Sequence, residues 1–163
     1  MKNQKVIFLT QAAAIAALYV VLTFLANAFG LASGAVQIRL SEMLAILPFF
    51  TPAAIPGLFV GCMLSNLLTG CCVLDIFAGS FASLLGAVLA WMLRRWKWLV
   101  PVPNILANML IVPYVLTSPY GYGLTDAWWY LVVTVGAGEI ISCGVLGMLL
   151  LTALEKHAKS IFS

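Results

Sequence analysis

The chain has 163 residues, of which 64% are hydrophobic and 8% are charged, and its mean hydropathy is +1.11. Soluble domains carry roughly 25% charged residues, so this composition excludes a soluble globular protein. A membrane-spanning helix needs roughly 20 apolar residues, so the length allows five or six spans in a single transmembrane domain over residues 1–163. The net charge of +3 comes from basic residues at predicted span ends, where membrane topology explains them without nucleic-acid binding.

Apolar runs separated by charges, prolines and glycines predict an all-α integral membrane protein folded as a bundle of six transmembrane helices. The spans fall at residues 5–27, 37–52, 55–70, 74–93, 98–117 and 127–154. Pro48, Pro52 and Pro56 interrupt the second and third spans. Broken backbone at membrane depth needs protein or cavity water to satisfy its polar groups, so a tight connection inside the bundle is predicted.

The first apolar run follows Lys2 and Lys5 and is too long for the core of a signal peptide, so we expect it to be a retained span. It contains small residues at the spacing that brings membrane helices close together. The two pairs are Ala12 with Ala16 and Ala13 with Ala17. Packing within the bundle is the simplest interpretation of such a stripe.

The distribution of basic residues predicts that both termini are cytoplasmic in a multi-pass protein of the cell membrane. With six crossings, one side carries Lys2, Lys5, Arg94, Arg95, Lys97, Lys156 and Lys159, and the other side carries Arg39. Aromatic residues mark both interfaces. They are Trp91, Trp96 and Trp98 near the inner basic loop, and Trp128, Trp129 and Tyr130 at the start of the last span.

Glu139 is the most informative residue, because a charge inside a span is costly and usually functional. It lies thirteen residues after Asp126, which places it about 20 Å along the last helix at 1.5 Å per residue. Gly136, Gly138 and Gly144 would let a backbone or a flat ligand approach it. We expect Glu139 to contact a ligand; a structural hydrogen bond or ion pair is the alternative.

Other polar residues have both a ligand-binding and a structural interpretation. Arg39 and Glu42 are spaced i, i+3 and can form an ion pair. Asp75 begins the fourth span, where a carboxylate also stabilises a helix N-terminus. Three side-chain amides lie within apolar segments and can bind a ligand or hold helices together, namely Asn66, Asn104 and Asn108. Tyr114, Tyr120, Tyr122, Trp128 and Trp129 surround the last outer loop and can cover a flat ligand or anchor the interface.

The sequence does not indicate an enzyme. It has no evident nucleophile with its base, no paired-carboxylate site and no GxxxxGK[ST] phosphate loop. The cysteines, Cys62, Cys71, Cys72 and Cys143, lack metal-site spacing, and His157 is the single histidine. We therefore expect no catalytic residue, metal or cofactor, and any ATP-driven transport would need another subunit.

One block of the sequence runs Gln37-Ile38-Arg39-Leu40-Ser41-Glu42, followed by Leu47-Pro48 and Thr51-Pro52-Ala53-Ala54-Ile55-Pro56-Gly57-Leu58. This block resembles the queuosine-precursor transporter family called QueT. Matching positions continue along nearly the whole chain. They are Gly61, Cys62, Asn66, Asp75, Gly79, Ser80, Pro101, Asn108, Pro113, Gly138 and Glu139.

The resemblance implies the substrate-binding S component of an energy-coupling factor (ECF) transporter, a six-helix membrane protein without ATPase motifs. It implies three partners, namely a transmembrane coupling protein and two cytoplasmic ATPases. The alanine-rich first helix is then the expected docking surface, through Ala12, Ala13, Ala16 and Ala17.

The resemblance also implies a 7-deazaguanine ligand, such as preQ0, preQ1 or queuine, captured from outside the cell. The guanine-like edge presents ring and exocyclic N–H donors that an ionised Glu139 can accept together. The remaining expected pocket residues are Arg39, Glu42, Asp75, Asn66 and Asn108.

Two other functional classes stay open. An autonomous secondary transporter or channel for a polar solute would use Glu139 as a proton site, although no inverted repeat is evident. A small membrane enzyme would use Cys71, Cys72 or Glu139. Dependence of uptake on ATPase partners, and product formation by the chain alone, distinguish these classes.

Overall fold

The computed structural model describes residues 2–31 and 36–158, and their regular structure is entirely helical. Lys159, used in the topology prediction, lies outside the described residues. The helices are α1 (Lys2–Ala28), a 3₁₀ helix (Leu40–Phe49), α2 (Ala54–Leu68), α3 (Val73–Met92), a 3₁₀ turn (Lys97–Leu99), α4 (Val102–Thr117), α5 (Trp128–Glu139), a π-helical segment (Ile140–Leu146) and α6 (Gly147–Glu155). The all-α class is thereby confirmed.

Four helical stretches are long and apolar enough to cross a membrane. They are Asn3–Ala28, Val73–Met92, Lys97–Thr117 and Trp128–Glu155. The second and third predicted spans are instead the shorter apolar helices Leu40–Phe49 and Ala54–Leu68. These six apolar helices fit the predicted number, although the second is a short 3₁₀ helix rather than a long α-helix. At about 2.0 Å per residue, the 3₁₀ helix covers about 20 Å of a hydrocarbon core of about 30 Å.

The 3₁₀ helix is the central element of the bundle. It packs against α1, α2, α3, the π-helical segment and α6, and it contributes Leu44, Ile46 and Leu47 to the core. Pro48 lies inside it, lacks a backbone donor and disfavours the α conformation at the preceding residue. The connection to α2 is short, and Thr51 within it is buried, as the predicted tight connection requires.

Glycines allow α2 to approach α1 very closely. A Cβ at Gly61 would lie 2.7 Å from Cβ of Tyr19 and 3.0 Å from Cα of Ala16. The alanine stripe of α1 is divided by this packing, since Ala12 and Ala16 are buried against α2 whereas Ala13 and Ala17 are exposed. Docking through these four alanines stays a prediction, and in this structure Ala12 and Ala16 are covered by α2.

The basic loop between α3 and α4 lies beside the end of the last helix. Lys97 Nζ is 3.1 Å from an Oε atom of Glu155, and both side chains are about one-third exposed. Arg94 stacks over Trp91, with its guanidinium carbon 3.5 Å from the ring centroid. The contact between Lys97 and Glu155 puts the loop and the end of α6 at one end of the bundle.

The close approach of α1 and α2 predicts that Gly61→Ala destabilises the protein. The added methyl group overlaps Tyr19 and Ala16, and such overpacking costs about 1–3 kcal/mol. Gly144→Ala is the matched control, because a Cβ there meets its nearest atoms at 3.8 Å. Thermal unfolding in detergent should give a lower midpoint for Gly61→Ala alone; equal midpoints would contradict this packing.

Candidate functional site

A cavity of about 350 Å³ opens at the end of the bundle where α1 ends and α3 begins, which we call the cavity end. Pockets for small ligands typically occupy about 300–1,000 Å³. Its wall comes from α1, the segment before the 3₁₀ helix, α2, α3, α4 and the loop after α4. The polar side chains in the wall are Tyr19, Thr23, Asn27, Gln37, Arg39, Ser41, Ser65, Asn66, Thr69, Cys71, Asp75 and Tyr122.

Asp75 and Asn66 form one side of this cavity. Asp75 is 3% exposed, and Tyr122 Oη donates a hydrogen bond to its Oδ2 at 3.2 Å. The Asn66 amide donates to the Asp75 carbonyl at 3.3 Å and so ties α2 to α3. A Cβ at Gly79 would lie 3.1 Å from Asp75 Oδ1 and 3.2 Å from Asn66 Nδ2, so glycine leaves room for both side chains.

Arg39 enters the cavity from an extended segment anchored to the last helix. Its backbone N–H donates to Ser142 Oγ at 3.1 Å. A Cβ at Gly138 would lie 2.1 Å from the Gln37 carbonyl oxygen, so this glycine lets the segment lie directly on α5. Close backbone approach was predicted for this glycine, and the structure confirms it.

The expected ion pair between Arg39 and Glu42 is not formed. Within the described residues, the ion pair found is Lys97 with Glu155. Glu42 faces inward instead, because Tyr19 and Asn104 donate hydrogen bonds to its two oxygens. Arg39 instead lines the cavity.

A second group of polar side chains, the carboxyl cluster of Glu42, Asn104 and Glu139, is buried deeper in the bundle. Asn104 Nδ2 lies 2.8 Å from Glu42 Oε2 and 3.5 Å from Glu139 Oε2, so one amide bridges two acidic side chains. All three are at most 5% exposed. Glu139 is the last residue of α5, directly before the π-helical segment, a geometry that often occurs at functional sites.

Tyr19 connects the cavity with the carboxyl cluster. It is one of the residues lining the cavity, and its hydroxyl donates to Glu42 Oε1. The wall includes Arg39, Asn66 and Asp75 of the predicted site. Glu42, Glu139 and Asn108 are absent from the described wall, so their direct contact with a ligand stays a prediction.

Tyr19 was missed by the sequence-based prediction, and Asn104 was considered but not assigned to the site. One signal for Tyr19 was available, because a buried tyrosine normally finds a hydrogen-bond partner and this tyrosine lies in an otherwise apolar helix. Asn104 and Asn108 share a helix face as predicted, but they differ in their contacts. The Asn108 amide nitrogen is buried without a hydrogen-bond partner within the described structure.

The loop after α4 brings Tyr122 to the mouth of the cavity. Backbone hydrogen bonds fold this loop back on α4, from Tyr122 N–H to Val115 and from Leu124 N–H to Leu116. Burial, the neighbouring Cys71 thiol and the charge of Asp75 raise the pKa of Tyr122. Its hydroxyl is therefore protonated at neutral pH and able to donate to Asp75.

Comparison with known proteins agrees with the resemblance to the QueT family. The family model described as QueT transporter matches residues 9–156. The queuosine precursor transporter QueT of Lactococcus lactis subsp. cremoris (strain MG1363) is similar to the chain, with 37% identity over 84 residues. That alignment covers 52% of this chain and 49% of the relative, so it spans about half the length of each protein. No solved structure matches the chain.

The geometry of the carboxyl cluster predicts different effects of two otherwise identical substitutions in α4. Asn104→Ala leaves two buried carboxyl groups without their shared donor, which costs about 1–3 kcal/mol. Asn108→Ala removes the same atoms, but the amide nitrogen that is lost has no hydrogen-bond partner among the described residues, so its cost is smaller. Thermal unfolding of both variants measures the difference, and an equal loss of stability would argue against the bridge.

Proposed function

Because this chain belongs to the QueT transporter family, we propose that it captures a queuosine precursor, a 7-deazaguanine such as preQ0, preQ1 or queuine, from outside the cell. The observation that carries this proposal is the cavity of about 350 Å³ with Arg39, Asn66 and Asp75 in its wall. The name of the Lactococcus relative, a queuosine precursor transporter, supports the same substrate class.

The ligand's chemistry matches the polar groups available in this part of the bundle. The deazaguanine carbonyl needs a donor, which the Arg39 guanidinium supplies, while the ring N–H and exocyclic amine need acceptors. We place this edge toward Tyr19, with the carboxylates of Glu42 and Glu139 beneath it. Movement of the Tyr19 hydroxyl off Glu42 would free an oxygen of Glu42, and Glu139 is the carboxylate that we propose accepts from the edge.

The chain acts in this proposal as the S component of an ECF-type importer. It would work with a transmembrane coupling protein and two cytoplasmic ATPases, since its own sequence has no phosphate-binding loop. The exposed residues Ala13 and Ala17 of α1 are the remaining candidates for docking. Both termini would be cytoplasmic, which is supported by the contact between Lys97 and Glu155 at the end opposite the cavity.

An autonomous transporter is the second candidate, and the carboxyl cluster is the observation that favours it. Two acidic side chains bridged by one amide, Glu42 and Glu139, can hold a transferable proton. Such a protein would import its solute with a proton gradient and without partner subunits. The two candidates therefore differ in their energy source.

Reconstituted uptake tests the energy source directly. We expect proteoliposomes that contain the chain and its ECF partners to accumulate radiolabelled preQ1 when ATP is supplied on the side of the membrane where the ATPases lie. Proteoliposomes with the chain alone should not accumulate it under an imposed proton gradient. Gradient-driven accumulation by the chain alone would favour the autonomous transporter.

Substrate capture predicts binding by the purified chain without partners. Calorimetry should detect preQ1 binding, and riboflavin should not bind. Arg39→Gln and Glu139→Gln should each weaken the affinity by about tenfold or more, since each removes a charge-assisted hydrogen bond of roughly 1.5–3 kcal/mol.

Asp126→Asn is the control for these variants, because this acidic residue is exposed in the loop and absent from the cavity wall. Its affinity should equal that of the unmodified chain. Unchanged affinity in Glu139→Gln would remove Glu139 from the site. Failure of the unmodified chain to bind preQ0, preQ1 and queuine would refute the substrate assignment.

A further inference from the structure

The cavity half of the bundle buries more acidic than basic side chains. Glu42, Asp75 and Glu139 are 2%, 3% and 5% exposed. Within the described residues, Arg39 is the one basic side chain in the cavity wall, and none lies in the carboxyl cluster. Even with one proton shared between Glu42 and Glu139, the single cation faces two negative charges. Buried charge is costly unless it is compensated, so this site lacks a cation.

Asp75 is the carboxylate in the cavity wall that is best placed to accept a further hydrogen bond. Its Oδ2 accepts a hydrogen bond from Tyr122, whereas its Oδ1 is buried and has no hydrogen-bond partner among the described residues. The same side chain lines the cavity. A carboxylate held in this way needs a further donor, and a positively charged donor would also correct the excess of negative charge.

We propose that Asp75 binds a positively charged side arm of the ligand, so that the pocket selects a 7-deazaguanine carrying an ammonium group over a neutral one. This inference rests on the proposed function. The atom at ring position 7 lies on the opposite side of the base from the exocyclic amine. A base whose guanine-like edge faces Tyr19 therefore directs its side arm toward the cavity mouth, where Asp75 and Tyr122 lie.

Two ligands that differ in this arm test the inference. The arm of preQ1 is an aminomethyl group, protonated at neutral pH, and that of preQ0 is a neutral nitrile. Calorimetry on the purified full chain should show preQ1 binding at least about tenfold more tightly than preQ0, the difference expected for one charge-assisted hydrogen bond. Asp75→Asn should lose this preference, because it removes the charged partner of the ammonium group, which preQ0 lacks. Asp126→Asn, with its exposed carboxylate, should retain the preference.

A comparison of three ligands on the unmodified chain does not depend on whether a variant folds. The 7-hydroxymethyl analogue of preQ1 is similar in size and neutral, and it should bind about as weakly as preQ0. Equal affinities for all three ligands, or equal weakening of preQ0 and preQ1 in Asp75→Asn, would overturn the ammonium site and leave the proposed function standing. Absence of binding by every deazaguanine would overturn the proposed function as well.

Discussion

The need to partner acidic side chains buried in an apolar bundle determines much of this structure. Glu42 obtains two donors, Tyr19 from α1 and Asn104 from α4, and Asn104 also reaches Glu139 on α5. Three long helices and the central 3₁₀ helix are thus joined by a few hydrogen bonds. A helix that moved away would leave a carboxyl group without its donor, at a cost of several kcal/mol in an apolar interior. The cluster therefore fixes the mutual position of α1, the 3₁₀ helix, α4 and α5.

The sequence predicted the positions of the long helices well, but it did not predict that the second span is a 3₁₀ helix. Continuous apolar runs bounded by charges or glycines set the ends of α1 and α3 within a few residues. The run over Leu40–Phe49 is equally apolar, but Pro48 disfavours an α-helix there and the surrounding helices bury nearly every side chain. A 3₁₀ helix satisfies both conditions. Its formation depends on tertiary contacts, which a hydropathy pattern does not contain.

The candidate site was predictable where a single residue was informative by itself. Arg39 and Asp75 are charged residues in apolar surroundings, and both lie in the cavity wall. The partners of Glu42 were not predictable, because i, i+3 spacing pointed to Arg39 while the actual donors lie 23 and 62 positions away. These contacts depend on how each helix is rotated about its axis. The prolines near Glu42 interrupt the helical periodicity of the sequence, so the direction in which Glu42 points could not be inferred from spacing.

Tyr19 is in contact with both the cavity and the packed helices around it. It lines the cavity, and its hydroxyl is one of two donors that hold Glu42. Its Cβ also lies beside Gly61, where α1 and α2 pack closely. A ligand that shifted the Tyr19 ring would therefore act directly on the packing of α1 on α2. The exposed alanines Ala13 and Ala17 lie on this same helix, so their position depends on that packing.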